Sequence, residues 1–131
     1  MRFGFLAIAA TIGLTACDPS ETVTKYGGMD YTWKLTEVDG TPIDYNALLS
    51  FGPHGSVNGE GPCNGYSGGQ IKPYPWVDIQ IDFVEELYCS GIDDEEAYFA
   101  ALSEMTLVEV SGANMVLSND ETGRQMVFKG I

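Results

Sequence analysis

Positive charge is scarce in this chain. Its 6 Lys and Arg face 19 Asp and Glu, with a single histidine, His54, for a formal net charge of −13. A nucleic-acid partner needs a cluster of cations over its phosphates, so that class of function is excluded. Flat binding to anionic lipid through basic side chains is disfavoured for the same reason. Cysteine is also sparse: Cys17, Cys63 and Cys89, with no C-x-x-C or H-x-x-x-H spacing that would point to zinc. Long apolar runs are absent after the first 14 residues, so no later segment can span a bilayer as a helix.

What is present begins at the N-terminus, MRFGFLAIAATIGLTAC. Arg2 precedes an apolar run over residues 3–14, too short to cross a membrane but of the length of a secretory h-region. Leu14-Thr15-Ala16-Cys17 then resembles a bacterial lipobox, in which the cysteine is lipidated and becomes the mature N-terminus. The expectation is a signal peptide over 1–16, a lipid anchor on Cys17 and a polar tether over 17–29. A domain over 30–131 would face the periplasm from the cell envelope. Asp18 resembles an inner-membrane retention signal of enteric bacteria, which leaves the choice of membrane open. The mature chain would have 131 − 16 = 115 residues, enough for one domain with a modest core. Arg2 leaves with the signal, so its charge would be 5 − 19 = −14, an acidic surface that suits solvation and, secondarily, a cationic partner.

Export changes the reading of the remaining cysteines. In an oxidising compartment two thiols are most simply a disulfide, Cys63–Cys89, closing the glycine-rich stretch GEGPCNGYSGG onto a later segment. The competing chemistries are weaker. A Cys63–His54 pair would need a free thiol. Gly65-x-Ser67-x-Gly69 spells a hydrolase nucleophile elbow, but Gln-Ile-Lys-Pro-Tyr-Pro follows where a helix is required, and the one histidine lies upstream of Ser67. Glu85 and Glu86 are neighbours on an extended segment and point to opposite faces. The Asp93–Glu96 run suits a helix N-terminus rather than a calcium loop, with Asp93 as the cap. No catalytic residue, metal site or cofactor is expected. Tyr31, Phe51, Trp33, Tyr66, Tyr74, Trp76 and Tyr88 either fill and rim the core or line a ligand cup.

Period-two alternation predicts short strands throughout. Tyr31, Trp33 and Leu35 share one face, and Asp39-Gly40 turns the chain. Further strands are expected at 41–44, around Leu49 and Phe51, over 56–60 and over 66–71. Val77, Ile79, Ile81 and Phe83 form the cleanest alternation. A helix is predicted near 93–104, with Tyr98, Phe99, Leu102 and Met105 on one face. Val108 and Val110, Met115 and Leu117, and Met126 and Phe128 mark three closing strands. Many short strands and one helix imply an antiparallel sheet curled into a small barrel.

The order Trp33-x-Leu35, Leu49-x-Phe51, Gly59-x-Gly61-x-Cys63-Asn64-x-Tyr66-x-Gly68, Cys89, Phe99-x-x-Leu102, Met115-x-Leu117 and Met126-x-Phe128 resembles the META domain, the HslJ-like family of heat-shock-associated envelope proteins. The resemblance covers roughly residues 30–129. Its motif residues here are Gly61, Cys63, Asn64, Tyr66 and Gly68. The family's Thr-x-x-x-Cys before the helix reads Glu85-Glu86-Leu87-Tyr88-Cys89 instead. The resemblance implies a lipocalin-like antiparallel β-barrel with a helix, no carried-over catalytic residues, and a part in stress tolerance, drug resistance or secretion. The resulting expectation is a monomeric, membrane-anchored, non-catalytic lipoprotein that binds an envelope protein. The alternative is a small-ligand binder with a pocket inside the barrel.

Overall fold

The computed structural model describes residues 21–131 and, before them, Gly13. The expected signal peptide over 1–16 and the lipidated Cys17 lie outside the described part. The tether expectation for 17–29 is corrected over its described portion. Val23–Tyr26 is a 3-10 turn, Thr22 and Val23 are buried, and the Trp33 indole N–H donates to the Gly28 carbonyl at 2.8 Å. The stretch looked like a linker because it is polar. Val23 inserts into the core, and the rest is held by backbone bonds, the Thr24 hydroxyl on the Gly52 carbonyl and Tyr26 stacked on Tyr74.

Nine strands follow in one antiparallel sheet: β1 (Trp33–Val38), β2 (Thr41–Pro42), β3 (Leu48–Phe51), β4 (Ser56–Glu60), β5 (Gly65–Gly69), β6 (Gln80–Val84), β7 (Leu107–Ser111), β8 (Asn114–Asn119) and β9 (Arg124–Gly130). Their order across the sheet is β6-β5-β4-β3-β1-β9-β8-β7, with β2 paired to β1. The sheet curls into a half-barrel. Its concave face carries the alternate residues Trp33 and Leu35, Leu49 and Phe51, Met115 and Leu117, and Met126 and Phe128, all buried. One helix, α1 (Ile92–Glu104), presses Tyr98, Ala101 and Leu102 into that core. Its cap is Gly91 rather than Asp93, which sits exposed in the first turn.

Two bulges set which side chains face in. Between Ser67 and Gly68 the β5–β6 pairing shifts: Ser67 faces Phe83 while Gly68 faces Ile81, so Asp82 is the extra residue. An inserted residue reverses the alternation beyond it. Val77 and Ile79 are buried and Ile81 packs on the core, but past the bulge Val84 takes the inward place and Phe83 is 60% exposed. The alternation through Phe83 is therefore not one regular strand, and β6 is shorter than its pattern implied. A second bulge, at Thr36, lies in the β1–β9 pairing.

The β7 edge is covered. Trp76 bridges to Leu107, the Val77 N–H donates to Thr106 at 3.0 Å, and the Val108 N–H donates to Pro75 at 2.8 Å. At the other end of the order β6 is the terminal strand. Among the described residues no helix is long and apolar enough to cross a membrane.

Candidate functional site

The motif residues converge where the β4–β5 loop meets the start of α1. Cys63 and Cys89 are joined by a disulfide, with Cα atoms 5.7 Å apart. The Gly61 N–H donates to the Asn64 carbonyl at 2.7 Å and closes the turn that presents Cys63. Glu95, only 3% exposed, reaches into this turn from the helix. Its Oε1 accepts the backbone N–H of Cys63 at 3.1 Å and of Asn64 at 2.6 Å, and its Oε2 accepts the Asn64 side-chain amide at 2.7 Å. Asn64 in turn clamps the segment before the disulfide's second half. Its Nδ2 donates to the Leu87 carbonyl at 3.0 Å, and its Oδ1 accepts the Leu87 N–H at 2.8 Å. Buried polar atoms need such partners, and here the side chain of each residue satisfies the other.

This geometry accounts for each motif residue. A β-carbon on Gly61 would lie 2.6 Å from Glu95 Oε1, so only glycine lets the turn close on the carboxyl group. A β-carbon on Gly68 would collide with the Gln80 carbonyl at the bulge. Tyr66 donates its hydroxyl proton to the Leu48 carbonyl at 2.8 Å, which leaves Tyr98 as the donor in the 2.6 Å bond between the two hydroxyls. Burial pushes both tyrosines well above the ordinary phenol range, Tyr98 further through its neighbour Tyr66, so both stay neutral. Phe99 packs edge-on to Tyr66, with ring centres 5.1 Å apart.

Chemically the site is a clamp. The disulfide takes both thiols, and the tyrosine hydroxyls are pinned. Ser67 lies mid-strand in β5, with Asn58 and Phe83 as its neighbours, so G-x-S-x-G here is not a strand–turn–helix elbow. His54 is an exposed residue of a 3-10 turn, held at φ 58°.

The aromatic residues do not gather round one cavity. Trp33, Phe51 and Tyr66 are core, Tyr74 is half-buried, and Tyr31, Trp76 and Tyr88 are on the outside. Two of the surface grooves bear on the site and on the chain's entry into the fold. One of about 410 Å³ is walled by Val84, Glu85, Leu87, Tyr88, Glu96 and Phe99, beside the clamp. The other, of about 580 Å³, is walled by Lys72, Pro73, Trp76, Val77, Asp78 and Thr106.

Sequence reasoning missed Glu95 and the Tyr98 hydroxyl. Their signal was spacing: Glu95, Tyr98, Leu102 and Met105 share one helical face, and an acid on an otherwise apolar stripe must be meeting buried donors.

No curated protein matches in sequence. The fold is similar to solved structures at low identity. A duf4847 family protein from Bacteroides vulgatus aligns with a TM-score of 0.68 at 11% identity, over 82% of this chain and 96% of its own. A protein from Burkholderia xenovorans solved by NMR aligns with a TM-score of 0.65 at 18% identity, over 98% and 99%. The META domain family model matches residues 27–130, a span that starts at Gly27, the C-cap of the N-terminal 3-10 turn, ahead of the first strand. The chain belongs to the META domain family.

Proposed function

We propose that this protein is a lipid-anchored envelope lipoprotein whose META domain is a non-catalytic scaffold that binds a protein partner in stress tolerance or envelope maintenance. The observation that carries the reading is a filled interior beside a decorated rim. Trp33, Leu49, Tyr98, Met115, Met126 and Phe128 occupy the space a barrel ligand would need, each fully buried. Outside, Leu87 at 61% and Tyr88 at 86% exposure stand with Glu85, Glu86 and Glu96 on the groove beside the disulfide clamp. Exposed aromatic and aliphatic side chains on a rigid support are the usual anchors of a protein interface. The acidic setting favours a partner with a basic, apolar segment.

The experiment has two arms. Envelope extracts are passed over the wild-type domain and over Leu87→Ser/Tyr88→Ser. A partner retained by the first and lost by the second, with unchanged thermal melting, supports the reading. Equal retention, or saturable binding of small apolar ligands without any protein partner, would sink it. The anchor is tested separately: Cys17→Ser should release the protein from membranes or stall its processing. A variant that matures and fractionates with membranes as the wild type does rules the anchor out.

A further inference from the structure

The point at which the chain enters the fold is tied to the wall of the 580 Å³ groove. The Glu21 carbonyl accepts the Tyr74 N–H at 2.9 Å, and the Trp76 N–H donates to Pro73 at 2.9 Å. Pro73, Trp76 and Lys72 line that groove. Tyr26 stacks on Tyr74, with ring centres 4.5 Å apart. Around this entry point stand apolar side chains that the fold leaves in water: Ile71 at 73%, Trp76 at 55%, Met29 at 56% and Tyr26 at 49% exposure. A core-forming role explains none of them. Lys72 lines the groove and Lys25 precedes Tyr26 in the entry turn; both are exposed, and they are two of the five cations the chain keeps after Arg2. Asp78 lines the groove beside Lys72, and Glu21 and Asp30 flank Lys25 along the entry segment, so cations and acids alternate here.

We propose that this surface seats the domain against the bilayer, with Trp76, Ile71 and Tyr26 at the level of zwitterionic phospholipid headgroups and Lys72 and Lys25 reaching their phosphates. The proposal rests on the lipid anchor at Cys17. Only Asp18, Pro19 and Ser20 separate Cys17 from Glu21. Four backbone steps reach at most about 14 Å. A domain of this length has a radius of gyration of about 13 Å, so so short a leash cannot turn its far side to the membrane. The side it must present carries a tryptophan, a tyrosine and lysines, the residue types that settle at a membrane–water interface.

The test uses the full lipidated protein in vesicles of phosphatidylcholine and phosphatidylethanolamine. Trp33 is buried and supplies a constant background, which a Trp76→Phe variant isolates. Brominated acyl chains should quench Trp76 emission, and aqueous iodide should not. Ile71→Ser should restore part of the iodide access. If the protein stays on the vesicles while iodide still reaches Trp76, the seating is wrong and the anchor stands. Protection from iodide without quenching by brominated lipid means that a second protein chain covers the groove, which also overturns the proposal. A protein that lacks lipid and remains in the supernatant overturns the anchor and the seating together.

Discussion

From β1 the sheet runs one way through β9, β8 and β7 and the other way through β3, β4, β5 and β6. The first arm is a plain meander. Val108, Met115, Leu117, Met126 and Phe128 all point inward and none is more than 1% exposed. Its turns at Gly112 and Gly123 have positive φ and open space around them. The outer part of the second arm, β4 to β6, has less to bury. Val57 and Tyr66 are its fully inward side chains, Ile81 and Val84 only partly so, and β5 is glycine-rich and bulged. Here the disulfide and the Glu95–Asn64 network do what apolar alternation does in the first arm. A sheet can be held by side-chain volume or by cross-links, and this one uses a different means on each side.

The largest effect should come from the meander. Phe128→Ala removes a fully buried ring and is expected to cost about 4 kcal/mol in chemical denaturation. A cost below about 1 kcal/mol would mean that the first arm does not depend on packing as described. Reducing Cys63–Cys89 should cost about 3.5 kcal/mol, because the bridge spans a sequence separation of 26 residues whose closure entropy returns to the unfolded chain. The sharper readout is where the loosening occurs. Amide exchange should speed up in the β4–β5 loop and the first turn of α1 before it does in β8 and β9. Uniform acceleration through both arms would erase the contrast.

Third in size is Glu95. Glu95→Ala leaves the backbone N–H groups of Cys63 and Asn64 and the Asn64 amide without their acceptor, for a loss of about 2 kcal/mol. Glu95→Gln keeps one oxygen for the two backbone donors and should cost roughly half that. If Ala and Gln behave alike, the carboxyl group is a spacer and not an acceptor.

The unequal legibility of the two arms has the same origin. Val108, Met115, Leu117, Met126 and Phe128 could be read directly, because alternation and burial agree in a regular hairpin. The disulfide was legible from the export signal and the cysteine count. Phe83 continues the alternation of Val77, Ile79 and Ile81 in sequence, and nothing in Val77-x-Ile79-x-Ile81-x-Phe83 announces an extra residue. The bulge arises where Gly68 lets the β6 backbone close in, and that is a property of the partner strand. The tether misread has a related cause: Thr22, Trp33 and Tyr74 hold residues 21–28 through packing and backbone contacts that local polarity does not reveal. Glu95 was hidden by its neighbours, since three acids around it, Asp93, Asp94 and Glu96, do face water.

The smallest effect belongs to an ion-pair group that ties the first arm to the β1–β2 turn. Asp39, at φ 51°, accepts the Gln125 N–H at 3.0 Å and pairs with Arg124 at 3.0 Å, while Arg124 also reaches Glu104 at 3.2 Å. The backbone bond from Gln125, then the Arg124 guanidinium, hold the Asp39 carboxyl below its ordinary value of 3.8. A lowered carboxylate pKa stabilises the fold when the group is ionised. Its contribution is therefore whole above pH 3.8 and fades as pH falls through the depressed value. Asp39→Asn is the suitable variant, because asparagine tolerates the left-handed backbone and can still accept from Gln125. The group is largely exposed and screened, so the loss at neutral pH should be under about 1 kcal/mol and should shrink further in high salt. The difference between variant and wild type, read from denaturation midpoints, should narrow from pH 7 toward pH 3. A gap that stays constant over that range would assign the effect to the turn's backbone and leave the ion pair without a measurable part in holding the arm.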